Sequence, residues 1–138
     1  MITFHIEDIE FKVPNTLKTK RWLKEVVEKE GFSLEGINYI FCSDDYLHKM
    51  NIEYLDHDYL TDIITFDNSE DESLIEGDIF ISIDRVKDNA QSFNVTFEHE
   101  LRRVLVHGVL HLCGYLDKTE EEEKMMRSKE NFYLGLSS

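Results

Sequence analysis

The sequence predicts an α+β fold, with a mixed sheet of about four strands and helices packed on it, in a single domain over residues 1–138. Three observations support this prediction. The length, with 41% hydrophobic and 32% charged residues, suits one globular domain. One proline and six glycines leave no repeat or linker at which to divide the chain. Helical and extended segments alternate, but two strands follow each other directly, which favours a mixed sheet over a doubly wound parallel one.

The N-terminal segments predict a strand or hairpin followed by a helix. Polar and apolar residues alternate in ITFHIEDIEFKV (2–13), as they do in a strand with one buried face. Asn15 or Thr16 then opens a helix that ends at Gly31. Five apolar side chains mark this helix, one of them (Trp22) off the register of the others: Leu17, Trp22, Leu23, Val26 and Val27.

The middle of the chain predicts three strands and one helix. INYIFC (37–42) has strand composition, and Ser43 followed by two aspartates caps a helix that runs to about Tyr54. TDIITF (61–66) and GDIFISI (77–83) are rich in Ile, Phe and Thr and predict two further strands, joined by an acidic loop. These are the two successive strands that favour a mixed sheet.

The last third of the chain predicts three helices. A short one spans 84–93, and Thr96 can cap a long one that continues to about Cys113. Gly114 stands where a helix end favours a left-handed residue. Capping-box spacing at Thr119 and Glu122 predicts a final helix over 119–134.

Composition limits the function classes. No apolar run approaches the roughly 20 residues that span a bilayer, and no signal-peptide pattern follows Met1, so we expect a cytoplasmic protein with no membrane partner. Cys42 and Cys113 form no disulfide framework and are expected to be small core residues. A net charge of −14 argues against broad, phosphate-driven nucleic-acid binding, so a polyanion must be held by a metal or by a few local cations.

The segment HGVLHLCGYLDK (107–118) predicts a metal site. His107 and His111 lie one turn apart on one helix face, so both imidazoles can reach one ion. Once Gly114 lets the chain turn, Asp117 can return as a third ligand. Two imidazoles and a carboxylate suit one zinc ion per chain with a position left to water, although iron or nickel also accepts such ligands. The alternative is a pair of histidines on the surface or hydrogen-bonded in the core.

Two neighbouring features bear on the chemistry. Glu100 and Arg103 continue the polar stripe of the histidines along the same helix. The residue after His107 is Gly108, where HExxH peptidases carry their general base, which weakens a peptidase interpretation. Glycine at this position either admits a bulky substrate close to the metal or allows close helix packing.

HGVLHLCGY resembles the HGxLHLxGY signature of the YbeY-type rRNA maturation factors, which are single-strand-specific, metal-dependent endoribonucleases. NIEYLDHDYLTDIITF (51–66) and GDIFIS (77–82) are similar to two further segments of that family, in the same order. The resemblance implies an enzyme that cleaves rRNA precursors and associates with the ribosome or its assembly intermediates.

The chain departs from the family pattern at two positions. Asp117 stands where the family has its third histidine, which lowers the charge of the site by one. Leu55 stands where the family commonly has an arginine thought to act near the substrate phosphate, and Arg103 is the candidate substrate-side cation that replaces it. No general base is assigned; Asp62 and Glu100 are the candidates, each with a structural alternative.

The sequence therefore predicts a zinc-dependent endoribonuclease acting in ribosome biogenesis, with His107, His111 and Asp117 as ligands. An alternative from another class is a ribosome-assembly or RNA-associated binding factor with a mainly structural metal, which Leu55 and the acidic composition favour. A metallopeptidase is third, because Gly108 removes its proton acceptor.

Overall fold

Four strands and five helices make up the computed structural model, which describes residues 1–137. Their order and bounds are β1 (Ile2–Ile6), α1 (Thr16–Lys29), β2 (Ser33–Cys42), α2 (Asp44–Leu55), β3 (Ile63–Asp67), β4 (Leu74–Ser82), α3 (Ile83–Ser92), α4 (Phe97–Leu112) and α5 (Glu120–Leu136). Among the described residues, no helix has the length and apolar character that crossing a membrane requires.

The sheet is mixed, as the sequence predicts. Its strand order is β1-β2-β4-β3, in which β1 and β4 both run parallel to β2. The edge strand β3 pairs antiparallel with β4, from Ile63 opposite Ile81 to Asp67 opposite Gly77. The two successive strands thus form the antiparallel pair, and the α+β prediction with about four strands is confirmed.

Helix capping follows the predicted residues closely. Ser43 and Thr96, as predicted, each accept a hydrogen bond from a backbone N–H of the first turn of α2 and α4, respectively. Ser82, which the sequence places at the end of a strand, does the same for α3. Thr119 and Glu122 form the predicted capping box of α5. These local interactions fix where the helices begin, which is why the sequence predicts them well.

Two predictions for the N-terminal part are only partly correct. Of the strand or hairpin predicted over 2–13, the strand is present as β1, which pairs in parallel with β2, but residues 7–13 form no hairpin with it, and Asp8 accepts hydrogen bonds from the N–H and hydroxyl of Ser43. On α1, the exposed fraction of Leu17 is 69%, whereas Trp22 is buried and its Nε1–H donates to the carbonyl of Tyr133 at 2.8 Å. The apolar face of α1 is therefore centred on Trp22 and not on Leu17.

The long helix α4 is the central element of the core. Its buried side chains pack on the sheet and on α1, α3 and α5. The hydroxyl of Tyr39, on β2, donates to the Leu105 carbonyl of α4 at 2.8 Å, so the helix is also held to the sheet by a buried hydrogen bond. Cys113 is half-buried beside this core, and Cys42 is buried in a second, smaller cluster with Leu47 and Ile64.

Gly108 lies on the face of α4 that packs against the sheet. A Cβ atom at this position would lie 2.9 Å from Cδ1 and 3.0 Å from Cγ2 of Ile79, and 3.1 Å from Cδ1 of Ile63. These distances are shorter than an ordinary van der Waals contact. The helix-packing interpretation of Gly108 is therefore correct, and the residue does not open the metal side to substrate.

Gly108→Ala should destabilise the fold, because overpacking against Ile79 and Ile63 costs about 1–3 kcal/mol. The better helix propensity of alanine returns up to about 1 kcal/mol. Gly135→Ala is the matched control, since a Cβ on this α5 residue would meet nothing within 4 Å. Urea unfolding should find Gly108→Ala less stable than both the parent and Gly135→Ala. Equal stability of the two variants would show that the helix does not need glycine at this contact.

Candidate metal centre

The last two turns of α4 bring the two histidines of the predicted site together. His107 and His111 lie on one face of the helix, and their ring centroids are 4.5 Å apart. Both side chains are only partly exposed, on the side of α4 that faces α5 and the following turn. The i, i+4 spacing therefore produces the pair that the sequence predicts.

A glycine-terminated helix end returns the chain toward the histidines. Gly114 has a φ of +103°, its N–H donates to the His111 carbonyl, and the Tyr115 N–H donates to the Leu110 carbonyl. This pair of bonds is the Schellman arrangement, which needs a left-handed residue after the helix. The reversal carries Asp117 back beside the imidazoles, as predicted.

The three predicted ligands converge. Oδ2 of Asp117 lies 3.2 Å from Nε2 of His107 and 3.4 Å from Nε2 of His111. One ligand atom from each of the three residues falls within 4.8 Å of the other two, and no other such group of three occurs within residues 1–137. Cys113 is not part of the group. That these residues bind a metal stays a prediction.

The other ring nitrogen of each histidine already has an acceptor. His111 Nδ1 lies 2.9 Å from the Tyr115 carbonyl oxygen, which can only accept, so Nδ1 carries the proton. His107 Nδ1 lies 2.5 Å from Oε2 of Glu130 and donates to that carboxylate. In the neutral rings both Nε2 atoms are then lone-pair acceptors facing a carboxylate oxygen. Three acceptors directed at one another fit a cation, and this donor set fits zinc.

Glu130 is a site residue that the sequence analysis missed. It lies on α5 in line with Met126 and Tyr133, and its exposed fraction is 1%. Burial by itself raises the pKa of its carboxyl, but the His107 hydrogen bond and the charges of His107, Arg103 and Arg127 together lower the pKa. A charged residue on the apolar stripe of α5 is the signal that could have identified it. Histidine ligands commonly donate their second N–H to such a carboxylate.

Arg103 joins the carboxylates around this centre. Its guanidinium contacts Glu100 through Nη2 at 2.5 Å and Nε at 2.9 Å, Glu130 through Nη1 at 3.3 Å and Asp62 at 3.8 Å. Only 11% of its side chain is exposed. Burial alone lowers the Arg103 pKa, but the hydrogen bonds and charge of Glu100 and the neighbouring carboxylates raise it further above its usual range. The predicted substrate-side role of Arg103 stays a prediction, while its contacts make it a support for Glu130.

The two candidate proton acceptors differ in their surroundings. Both oxygens of Glu100 are bound by Arg103, and the side chain is buried, so Glu100 serves as an ion-pair partner of Arg103. Asp62 precedes β3 and keeps part of its carboxylate exposed. Burial raises the pKa of Asp62, and the charges of Arg103 and His107 oppose that shift. Only Asp62 therefore offers a carboxylate oxygen without a close ion-pair partner.

The half-buried carboxylate of Glu30 supports His111 indirectly. Glu30, at the end of α1, accepts hydrogen bonds from the hydroxyls of Tyr115 (2.6 Å) and Tyr133 and from Nζ of Lys129 (3.1 Å). Burial raises the pKa of Glu30, but these three bonds and the Lys129 charge lower it overall. The Tyr115 ring is thereby fixed over the turn, and its carbonyl is held where His111 donates. Packing over the turn is therefore the structural role of Tyr115.

The comparisons with known proteins cover almost the whole chain. The profile of the family described as Endoribonuclease YbeY matches residues 2–136. The chain is similar to the Cytophaga hutchinsonii protein named Endoribonuclease YbeY, at 56% identity over 98% of this chain and 94% of that protein. A protein of the same name from Flavobacterium johnsoniae is 53% identical over 95% of this chain and 93% of its own length. A Thermotoga maritima protein solved in solution has a TM-score of 0.70 at 31% identity, covering 99% of this chain and 89% of that one.

Glu130→Gln should weaken the binding of a divalent metal about 10- to 100-fold, because His107 loses the charged acceptor that orients its ring. Glu121→Gln is the charge-matched control on the exposed side of α5. Competition for zinc with a chromophoric chelator measures the affinities, and thermal melts of the metal-free proteins report whether each variant folds. A folded Glu130→Gln variant that binds zinc as tightly as Glu121→Gln would contradict the expected role of Glu130.

Proposed function

We propose that this chain, which belongs to the YbeY family of endoribonucleases, cleaves single-stranded RNA with one zinc ion held by His107, His111 and Asp117. The observation that carries the proposal is the convergence of two imidazole nitrogens and a carboxylate oxygen, all acceptors, in a site that keeps some exposure. Three protein ligands and a free position are typical of catalytic zinc, whereas structural zinc usually has four protein ligands.

Zinc at such a site supplies Lewis-acid chemistry, polarising a phosphodiester oxygen and making a coordinated water or hydroxyl more acidic. The side chains divide the remaining tasks. Glu130 and the Tyr115 carbonyl hold the rings of His107 and His111, so that both Nε2 atoms face the same point. Asp117 adds a negative charge where a third imidazole would add none, which makes the site a weaker Lewis acid. Asp62 is the proposed proton acceptor, because Glu100 is occupied by Arg103.

The biological context we propose is the maturation of ribosomal RNA in the cytoplasm, with rRNA precursors on ribosome assembly intermediates as substrates. The family membership and the motifs at 51–66, 77–82 and 107–115 support this context. A short single-stranded segment fits an acidic protein better than an extended duplex does, because fewer phosphates have to be neutralised.

A second candidate function is RNA-associated binding with a mainly structural metal. Leu55, at the end of α2, is exposed and uncharged, so it cannot contribute the cation expected near a substrate phosphate. The peptidase alternative loses support from the site. Gly108 faces the sheet, and Glu100 and Glu130 are buried in contacts with Arg103 and His107.

Zinc-loaded protein should cleave a labelled single-stranded RNA and leave the matching duplex and a peptide library intact. His111→Ala should reduce the cleavage rate by more than about 100-fold, because it removes a metal ligand. Loss of a residue that only supports a ligand already lowers metal affinity or activity about 10- to 100-fold. His5→Ala, which removes an exposed histidine of β1, is the matched control and should retain the parental rate.

The outcomes separate the candidate functions. RNA binding without turnover in the zinc-loaded parent favours the binding factor, and peptide cleavage favours the peptidase. Equal RNA cleavage by the parent and His111→Ala contradicts the proposed centre, because the activity then comes from elsewhere.

A further inference from the structure

We propose that Arg127, on the exposed side of α5, contacts a phosphate of the RNA substrate, with Lys124 as a second cation one turn earlier. This inference rests on the proposed function and adds the residues that bind the substrate. Its starting observation is an open groove between α4 and α5, in which His107 and Asp117 share the lining with Arg127 and Lys124. A substrate held at the predicted ligands therefore lies within the same groove as these two cations.

The overall charge makes local cations necessary. At −14 the protein repels a polyanion at long range, so steering by the whole molecule does not assist RNA binding. Binding then depends on a few charged contacts close to the reacting phosphodiester. Among basic side chains, arginine is the best suited, because its planar guanidinium can donate two parallel hydrogen bonds to one phosphate.

Arg103 is poorly placed for this task. Its guanidinium is almost buried and contacts three carboxylates, of Glu100, Glu130 and Asp62. Redirecting it to a phosphate would leave the buried Glu100 and Glu130 without their main cationic partner, which is strongly unfavourable. The groove therefore needs another cation.

Arg127 is available for a phosphate. Its side chain is 55% exposed, and its contact with Glu130 is long, 3.7 Å between Nη1 and Oε1. Such exposed pairs contribute little to stability, so the side chain can turn to a ligand at small cost. Glu130 keeps its two closest partners without Arg127, because His107 and Arg103 bind its two oxygens. Lys124 is similarly free to move, since its pair with Glu120 is 3.5 Å long and fully at the surface.

The charge of the groove changes sign when a divalent metal binds. Its lining holds three cationic side chains (Arg103, Lys124 and Arg127) and four carboxylates (Asp117, Glu120, Glu123 and Glu130). With neutral histidines the lining is thus slightly negative, and a divalent cation makes it slightly positive. Arg127 supplies one of the few positive charges on which this change of sign depends, so its removal should weaken the binding of a phosphate in the groove.

The test measures kcat/KM of the zinc-loaded protein on single-stranded RNA at several salt concentrations. The variants are Arg127→Ala, Arg127→Lys and Lys124→Ala, and the control is Arg21→Ala, an exposed arginine of α1 away from the groove. Arg127→Ala should lower kcat/KM about tenfold at low salt and make its dependence on log salt shallower by about 0.7, as expected for one lost phosphate contact. Arg127→Lys should recover the salt dependence and part of kcat/KM, and Lys124→Ala should show a smaller loss than Arg127→Ala.

Zinc affinity, measured by chelator competition without RNA, is the second readout. It should be the same for Arg127→Ala, Arg21→Ala and the parent, because Glu130 keeps its bonds to His107 and Arg103. A parallel loss of zinc affinity would overturn the inference, since Arg127 would then act on the metal centre. If the parent cleaves RNA and Arg127→Ala has the same kcat/KM and the same salt dependence, the role of Arg127 is refuted while the proposed function is not. A parent without RNA cleavage would refute the proposed function and this inference together.

Discussion

Three atoms that act as acceptors when both imidazoles are neutral face one another, and this is the constraint on which the structure depends. Nε2 of His107, Nε2 of His111 and Oδ2 of Asp117 meet beyond the end of α4, while both Nδ1 atoms are committed to other acceptors. Without a cation this arrangement is repulsive for neutral rings, and with a divalent metal it becomes a set of ligands. The fixed protons on Nδ1, more than the residue types, distinguish it from an ordinary pair of helical histidines.

The hydrogen-bond acceptors of the two Nδ1 atoms are held in place by separate elements of the fold. Helix α5 contributes Glu130 to His107, and the end of α1 contributes Glu30, which holds Tyr115 and so the carbonyl that binds His111. Gly108, on the face of α4 that packs against the sheet, lets the helix lie close to β3 and β4. One helix therefore packs tightly on the sheet through one face and presents its ligands through another.

Local patterns in the sequence predicted much of this arrangement. Spacing along one helix and one turn fixes His107, His111 and Asp117, and short-range capping fixes where α2, α4 and α5 begin. Features that depend on partners distant in the chain were missed. Glu130 is 23 residues from His107, so its role becomes visible only when α5 packs on α4. The two N-terminal predictions are only partly correct for the same reason. The end of the first strand depends on its pairing with β2, and the buried face of α1 depends on the contact of Trp22 with α5.

The most direct test of the central claim is the metal content of the purified protein after equilibrium dialysis against zinc. One tightly held ion per chain is expected for the parent and for Asp58→Ala, which removes an exposed carboxylate outside the centre. Asp117→Ala should hold far less zinc at the same free concentration, because one of three ligands is gone. Equal zinc content in Asp117→Ala and the parent, or no zinc in the parent, would show that His107, His111 and Asp117 do not form a zinc site.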